Sequence, residues 1–234
     1  MTERRKQVIR LQIARAALEL FAEQGVAGTT GDDIAHAIGI STRTLWRYFP
    51  TKEGCVRPLL TSGLEVMAAH LRGWPADLSL VDHLDRVGAF TGGGGDGEAG
   101  GDGEGGDTVE APVAALIRMT RTEPGLMAVW LDVHRAAEDV FAQILAERLG
   151  VDPGDFAVRV RSAALNGALR AAAERQALHG GASGDGSGGG SGVDNGGGTG
   201  GENSGGSPGT GALLRVALVA LTDGFGPVRS GGGS

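Results

Sequence analysis

The chain has 234 residues, 41% of them hydrophobic, which is enough apolar material for one or two packed domains. Its net charge of −7 argues against nucleic acid as a partner, and its single cysteine, Cys55, excludes an intrachain disulfide. The charge is unevenly spread, however: residues 1–57 hold nine Arg/Lys against six Asp/Glu, so a basic end is joined to an acidic remainder. That distribution suits a protein that docks DNA with one face and keeps the rest off it.

No signal-peptide pattern opens the chain and no apolar run reaches membrane-spanning length, so a cytoplasmic setting without membrane contact is expected. In that reducing setting Cys55 reads as a small, half-buried hydrophobe rather than a redox sensor.

In chain order, residues 2–24 form an amphipathic helix with Ile9, Ile13, Ala16, Ala17, Leu20 and Phe21 on one face, ended by Gly25. Arg4, Arg5 and Lys6 at its start suit either solvent or a phosphate. The stretch Thr30–Phe49 then reads as two short helices joined by a tight turn. Thr30 caps the first and Asp33, three residues on, completes a capping box. Asp32 and Asp33 in the first turn suit the helix dipole. Ile34, Ala35 and Ile38 make an apolar stripe, Gly39 stops the helix, and Ile40 plugs the turn. Ser41 caps the second helix, whose inward residues are Leu45 and Phe49.

The outer face of that second helix carries Thr42, Arg43, Thr44, Trp46, Arg47 and Tyr48: donors, cations and aromatics, with no acid among them. A solvated helix usually mixes both signs, whereas a helix meant for a groove offers donors to phosphates and base edges. Pro50 ends it, and Thr51 caps a third helix running from about Thr51 towards Arg72, with Val56, Leu59, Leu60, Leu64 and Met67 buried and Pro58 tolerated near its start.

Further on, residues 78–90 predict a short helix and Val109–Arg121 another, with Val113, Leu116, Ile117 and Met119 inward. Pro124 opens a long helix in which Leu126, Trp130, Val133, Ala137, Val140 and Ile144 recur at alternating four and three, and Gly150 ends it. A helix from Asp155 to about His179 is rich in small residues, among them Ala163, Ala164, Gly167, Ala168, Ala171 and Ala172. The last helix, Ala212–Gly224, sets Leu214, Ala217, Leu218 and Leu221 on one face. Of the 44 glycines, ten lie in 92–106 and 17 in 180–211. Such tracts bury too little to offset their ordering entropy and are expected as loops, like the tail 230–234.

The run LELFAEQGVAGTT, then DDIAHAIGIS, TRTLWRYF and TKEG, resembles the TetR-like bacterial transcriptional regulators over roughly residues 7–67. Capping residues, turn glycine, apolar plug and the pair Tyr48-Phe49 fall at that family's spacing. Two positions depart from its pattern. Gly31 stands where the family has an apolar residue, which predicts a looser start to its helix. Trp46 replaces the commoner tyrosine.

The resemblance implies an all-α chain: an N-terminal three-helix helix-turn-helix DNA-binding domain in 1–67, and a C-terminal helical domain in 68–229 for ligand binding and dimerisation, interrupted by the glycine tracts. It implies base-edge contacts from Thr42, Arg43 and Trp46, phosphate contacts from Thr44, Tyr48 and Lys52, either from Arg47, and a place for Ser41 in the DNA-binding surface; Thr30, at a helix start, can offer its hydroxyl and backbone N–H to a phosphate. The last two long helices pair with those of a second subunit, so a homodimer reads an inverted repeat in double-stranded DNA, its recognition helices about 34–36 Å apart. The expected activity is repression relieved by a small-molecule effector held in a mostly apolar cavity. Trp74, Met119, Met127, Trp130, His134, Asn166 and Arg170 are the candidate lining residues, with Trp130 and His134 four apart on one face.

No cofactor is implied. Gly95, Gly97 and Gly100 spell a phosphate-binding G-x-G-x-x-G, but no apolar strand precedes them and no helix opens from them. The acids of 96–107 lack the spacing of a calcium loop. No metal cluster, nucleophile elbow or triad supports an enzyme. The alternative reading is a helical small-molecule sensor or carrier that acts through protein partners.

Overall fold

Helix α1 (Glu3–Gly28) turns Ile13, Ala17 and Phe21 inward and breaks at Gly25, where φ is 77°. The expected stop is therefore a kink, and one more turn follows it to place Val26 in the core. The computed structural model describes residues 3–89, 111–179 and 210–224, and every regular element among the described residues is helical. The whole first glycine tract, 92–106, the expected helix start at 109–110, residues 180–209 of the second tract and the tail lie outside them.

Helix α2 (Gly31–Ala37) packs on α1, and α3 (Thr42–Tyr48) packs on α2. A turn of 3-10 helix at Glu53–Val56 follows, and only then does α4 (Arg57–Arg72) begin. The helix expected from Thr51 thus starts six residues later. Pro58 is the reason: lacking an N–H, it fits the first turn of an α-helix and not its interior. Thr51 does not cap α4: its Oγ1 accepts the Gly54 N–H at 3.0 Å within the 3-10 turn, whose N-cap position is Lys52.

The body contains α5 (Leu80–Arg86), α6 (Ala111–Met119), α7 (Pro124–Leu149), α8 (Phe156–His179) and α9 (Thr210–Gly224). Helix α9 begins two residues inside the stretch expected as loop. Helix α4 packs along α7, α7 against α8, and α8 also meets α6 and α9. One stripe position needs correction. Val140 is 41% exposed, whereas Phe141 is fully buried. At 3.6 residues per turn the inward line from Ala137 drifts to the fourth residue on, not the third.

A single core cluster runs from head to body, through Ile13, Phe21, Ile34, Leu45, Phe49, Leu60, Leu126, Trp130 and Phe141. Each such side chain contributes about 1.5–3 kcal/mol by leaving water, so the two parts share one apolar interior. Ile38 is only half-buried at its edge. Cys55 is fully buried, and burial pushes its thiol up to about 12, so it packs as a neutral hydrophobe.

Helix α4 is held to α7 at both ends. Near its start, Arg57 pairs with Asp132 across an exposed contact. Beyond its end, the Arg148 guanidinium donates to the Trp74 and Pro75 carbonyls at 2.5 and 2.7 Å and lies 3.7 Å from the Trp74 ring centroid. These bonds cover carbonyls just past α4, and the cation adds attraction to the ring face.

Candidate nucleic-acid interface

The second helix of the pair α2–α3 is aimed by short-range chemistry. At α2 the Thr30 Oγ1 accepts the Asp33 N–H at 3.2 Å, while Asp33 Oδ2 receives the Thr30 N–H at 2.8 Å and its hydroxyl at 2.7 Å. This reciprocal box holds the Asp33 carboxyl below its ordinary value, through the hydroxyl bond first. Gly39 turns the chain with φ of 69°, a region that costs other residues steric strain. Ser41 then caps α3, its Oγ accepting the Thr44 N–H at 3.2 Å. Leu45, fully buried, and Phe49, 6% exposed, anchor the inner face.

On the outer face Arg43, Trp46 and Arg47 are exposed. Arg43 has no hydrogen-bond or ion-pair partner among the described residues, and Arg47 lies 5.9 Å from the Tyr48 ring centroid. Thr42, Thr44 and Tyr48 are half-buried. The Thr42 hydroxyl donates to Asp32 Oδ1 at 2.5 Å, and the Thr44 hydroxyl meets that of Ser41 at 2.8 Å. The Thr30 donors are both engaged by Asp33. Lys52 sits apart from α3's outer face: its ammonium donates to the carbonyls of Val26 and Thr29 at 2.5 and 2.9 Å, where α1 ends. Two of its three donors are thereby used. Asp32, read from sequence only as a dipole partner, is the acid that reaches α3; ten residues from Thr42, it gave no periodic signal.

In the body the structure gathers some candidate residues and separates others. Trp130 and His134 on α7 contact edge to face, ring centroids 4.1 Å apart. His134 Nδ1 lies 2.6 Å from Asn166 Oδ1 on α8, and Arg170 is close enough to act on the imidazole electrostatically. Sequence reasoning missed Glu138 and Glu174. Asn166 Nδ2 donates to Glu138 at 2.8 Å and Trp130 Nε1 to Glu174 at 3.0 Å. The signal was present as four-residue spacing: 130, 134, 138 on α7 face 166, 170, 174 on α8.

Because the Asn166 amide nitrogen donates to Glu138, its oxygen accepts, and His134 Nδ1 must carry the proton. Burial pushes His134 below its ordinary value, so the imidazole is neutral. Its Nε2 is then an acceptor, buried and without a partner among the described residues.

Met127 and Glu174 line a cavity of about 310 Å³ beside this cluster, together with Arg118 and Arg121. Met119 is half-buried on α6. Trp74 is not with the others: it packs at the far end of α7 under Arg148, against Ala142, Leu145 and Val158. A larger groove, about 890 Å³, lies between head and body, lined by Tyr48, Arg57, Glu65 and Asp132 among others, and holds none of the seven candidates. Among the described residues no group of three or more His, Cys, Asp or Glu could hold a metal ion, and no helix is long and apolar enough to cross a membrane.

Residues 13–59 match the family model described as bacterial regulatory proteins, tetR family, and residues 113–184 match that of the MftR C-terminal domain. The chain is 34% identical over 159 residues to the HTH-type transcriptional regulator TcmR of Streptomyces glaucescens, covering 66% of each. It is 45% identical over 49 residues to the putative mycofactocin biosynthesis transcriptional regulator MftR of Mycobacterium tuberculosis (strain ATCC 25618 / H37Rv), covering 21% of this chain and 25% of that protein. The matches thus span just under two thirds and one quarter of those relatives' lengths. Among solved structures, Thermus thermophilus FadR, a transcriptional repressor in complex with lauroyl-CoA, aligns over 96% of this chain and 99% of its own at 20% identity, with a TM-score of 0.47.

Proposed function

The chain belongs to the TetR family of bacterial regulatory proteins, and we propose on that premise that it is a dimeric, sequence-specific DNA-binding transcriptional repressor, released from its operator by a small molecule in the cytoplasm. One observation carries this reading: α3 is acid-free, presents Arg43, Trp46 and Arg47 outward, and is fixed at its angle by caps and by buried Leu45 and Phe49. Such a helix offers donors to a major groove and backbone contacts from the half-buried Thr44 and Tyr48. Residues 1–67 form the reading head in this proposal, and 68–229 the body.

The effector site is proposed on the α7–α8 face that holds Trp130, His134, Asn166 and Arg170. Support comes from the unpartnered His134 Nε2, an acceptor that a ligand's hydroxyl or amine would satisfy. The same α7 packs on α4 and meets its ends through Arg57–Asp132 and Arg148–Trp74. A ligand that prefers a different α7 position therefore favours a different head position, and lowers DNA affinity by population shift.

Fluorescence anisotropy against the duplex upstream of the protein's own gene tests the proposal, with unrelated duplex of equal length at matched salt. The expected result is tighter binding to the first, by a factor of about 10³ or more. Equal affinity for both would overturn it.

A further inference from the structure

Two positions at which this chain departs from its family's pattern meet in space. A Cβ built on Gly31, the first residue of α2, would lie 2.1 Å from Trp46 Cζ2, 2.6 Å from Cη2 and 3.0 Å from Cε2. Real Cβ atoms essentially never sit so close, so a side chain at 31 requires the indole to move. Gly31 is not among the glycines with positive φ, so its backbone does not require glycine. Within a helix glycine is in fact a cost, about 0.5–1 kcal/mol against alanine. What Gly31 supplies is room for the indole.

Trp46 nonetheless remains 42% exposed on the outer face of α3. The ring is therefore seated on α2 through its six-membered part while the residue stays partly open to solvent, on the helix that also exposes Arg43 and Arg47. An indole so held offers carbon and one N–H donor. Among the edges that base pairs present in the major groove, thymine alone sets a methyl group beside an acceptor oxygen.

We infer that Gly31 is a specificity-determining position, the seat that fixes the Trp46 ring, and that the seated ring reads a thymine through its 5-methyl group. The inference rests on the DNA-binding reading above. Gly31 itself touches no base; it is a positioning residue. A side chain at 31 would drive the ring off α2 into the space a groove edge would occupy.

The test starts by selecting preferred duplexes from a randomised pool with the full-length protein. Each thymine of the selected site is then replaced in turn by uracil, which keeps pairing and removes only the methyl. The expected result is one thymine per half-site whose replacement weakens binding about fourfold, the contribution of one buried methyl. That penalty should vanish in Trp46→Ala and equally in Gly31→Ala. Gly31→Ala should change neither affinity nor base preference once Trp46→Ala is already in place. Circular dichroism of each variant checks that the helices persist. A penalty retained in Gly31→Ala would overturn the seat. A loss of equal size with Trp46 intact and with Trp46→Ala would show that Gly31 acts through α2 itself. A flat uracil scan at a selected site would remove thymine as the partner. Failure of the wild-type protein to select any sequence would instead sink the DNA-binding reading on which all this stands.

Discussion

His134 on α7 and Asn166 on α8 are joined with Nδ1 2.6 Å from Oδ1, so a proton on the imidazole is committed to an amide that is itself held by Glu138. Burial lowers the folded His134 value from its ordinary 6.5. The unfolded chain then takes up a proton that the folded chain refuses. Stability contributed by this group is complete above about 6.5 and is lost as pH falls from there through the folded value. His70, lowered by burial and then by His83, acts with the same sign. The melting temperature should therefore drop as pH is taken from 7 to 5. His134→Gln, which keeps an amide donor for Asn166 and cannot be charged, should show a shallower drop. Equal slopes in thermal scans of the two proteins would show that His134 titrates normally.

Lys52 closes the end of α1 through the Val26 and Thr29 carbonyls. Bonds from a charged donor stabilise by about 1.5–3 kcal/mol. Lys52→Met, which keeps most of the stem, should cost about that much in urea denaturation. If the third donor also meets a phosphate, as the family resemblance implies, the same variant should weaken binding to all sequences alike and reduce the slope of log affinity against log salt by about one. Lower stability with an unaltered salt slope would leave Lys52 as a clamp alone.

Arg43 is exposed and without a partner among the described residues, so it is available for a base edge. Arg43→Ala should cost about 1–3 kcal/mol on the selected duplex and relax discrimination at one position per half-site. Since Arg43 supports no part of the fold, the melting temperature should stay within a few degrees, about what a surface change of half a kcal/mol allows. An equal loss of affinity on random duplex would place Arg43 on the backbone only.

The helix pair at the heart of the head was legible residue by residue. Thr30, Asp33, Gly39 and Ser41 act on backbone atoms within four residues of themselves, so the chain's local order determines the caps, the turn and which face holds Leu45. Pro124 and Gly150 bounded α7 for the same reason. Local order failed where a choice depended on a neighbour. Val140 and Phe141 are adjacent apolar residues, and only the packing of α7 against its neighbours decides that Phe141 goes in. Trp74, read as a pocket residue, is drawn to Arg148, 74 positions away. Gly31 read as a defect until Trp46, on another helix, was seen to fill its space. Glu138 and Glu174 carried the right spacing but no partner until α7 and α8 were laid face to face. Capping and periodicity are written along the chain because their bonds span one turn. Which side chain meets which across two helices depends on crossing angle and rotation about each axis, and these are settled only when the whole apolar interior closes.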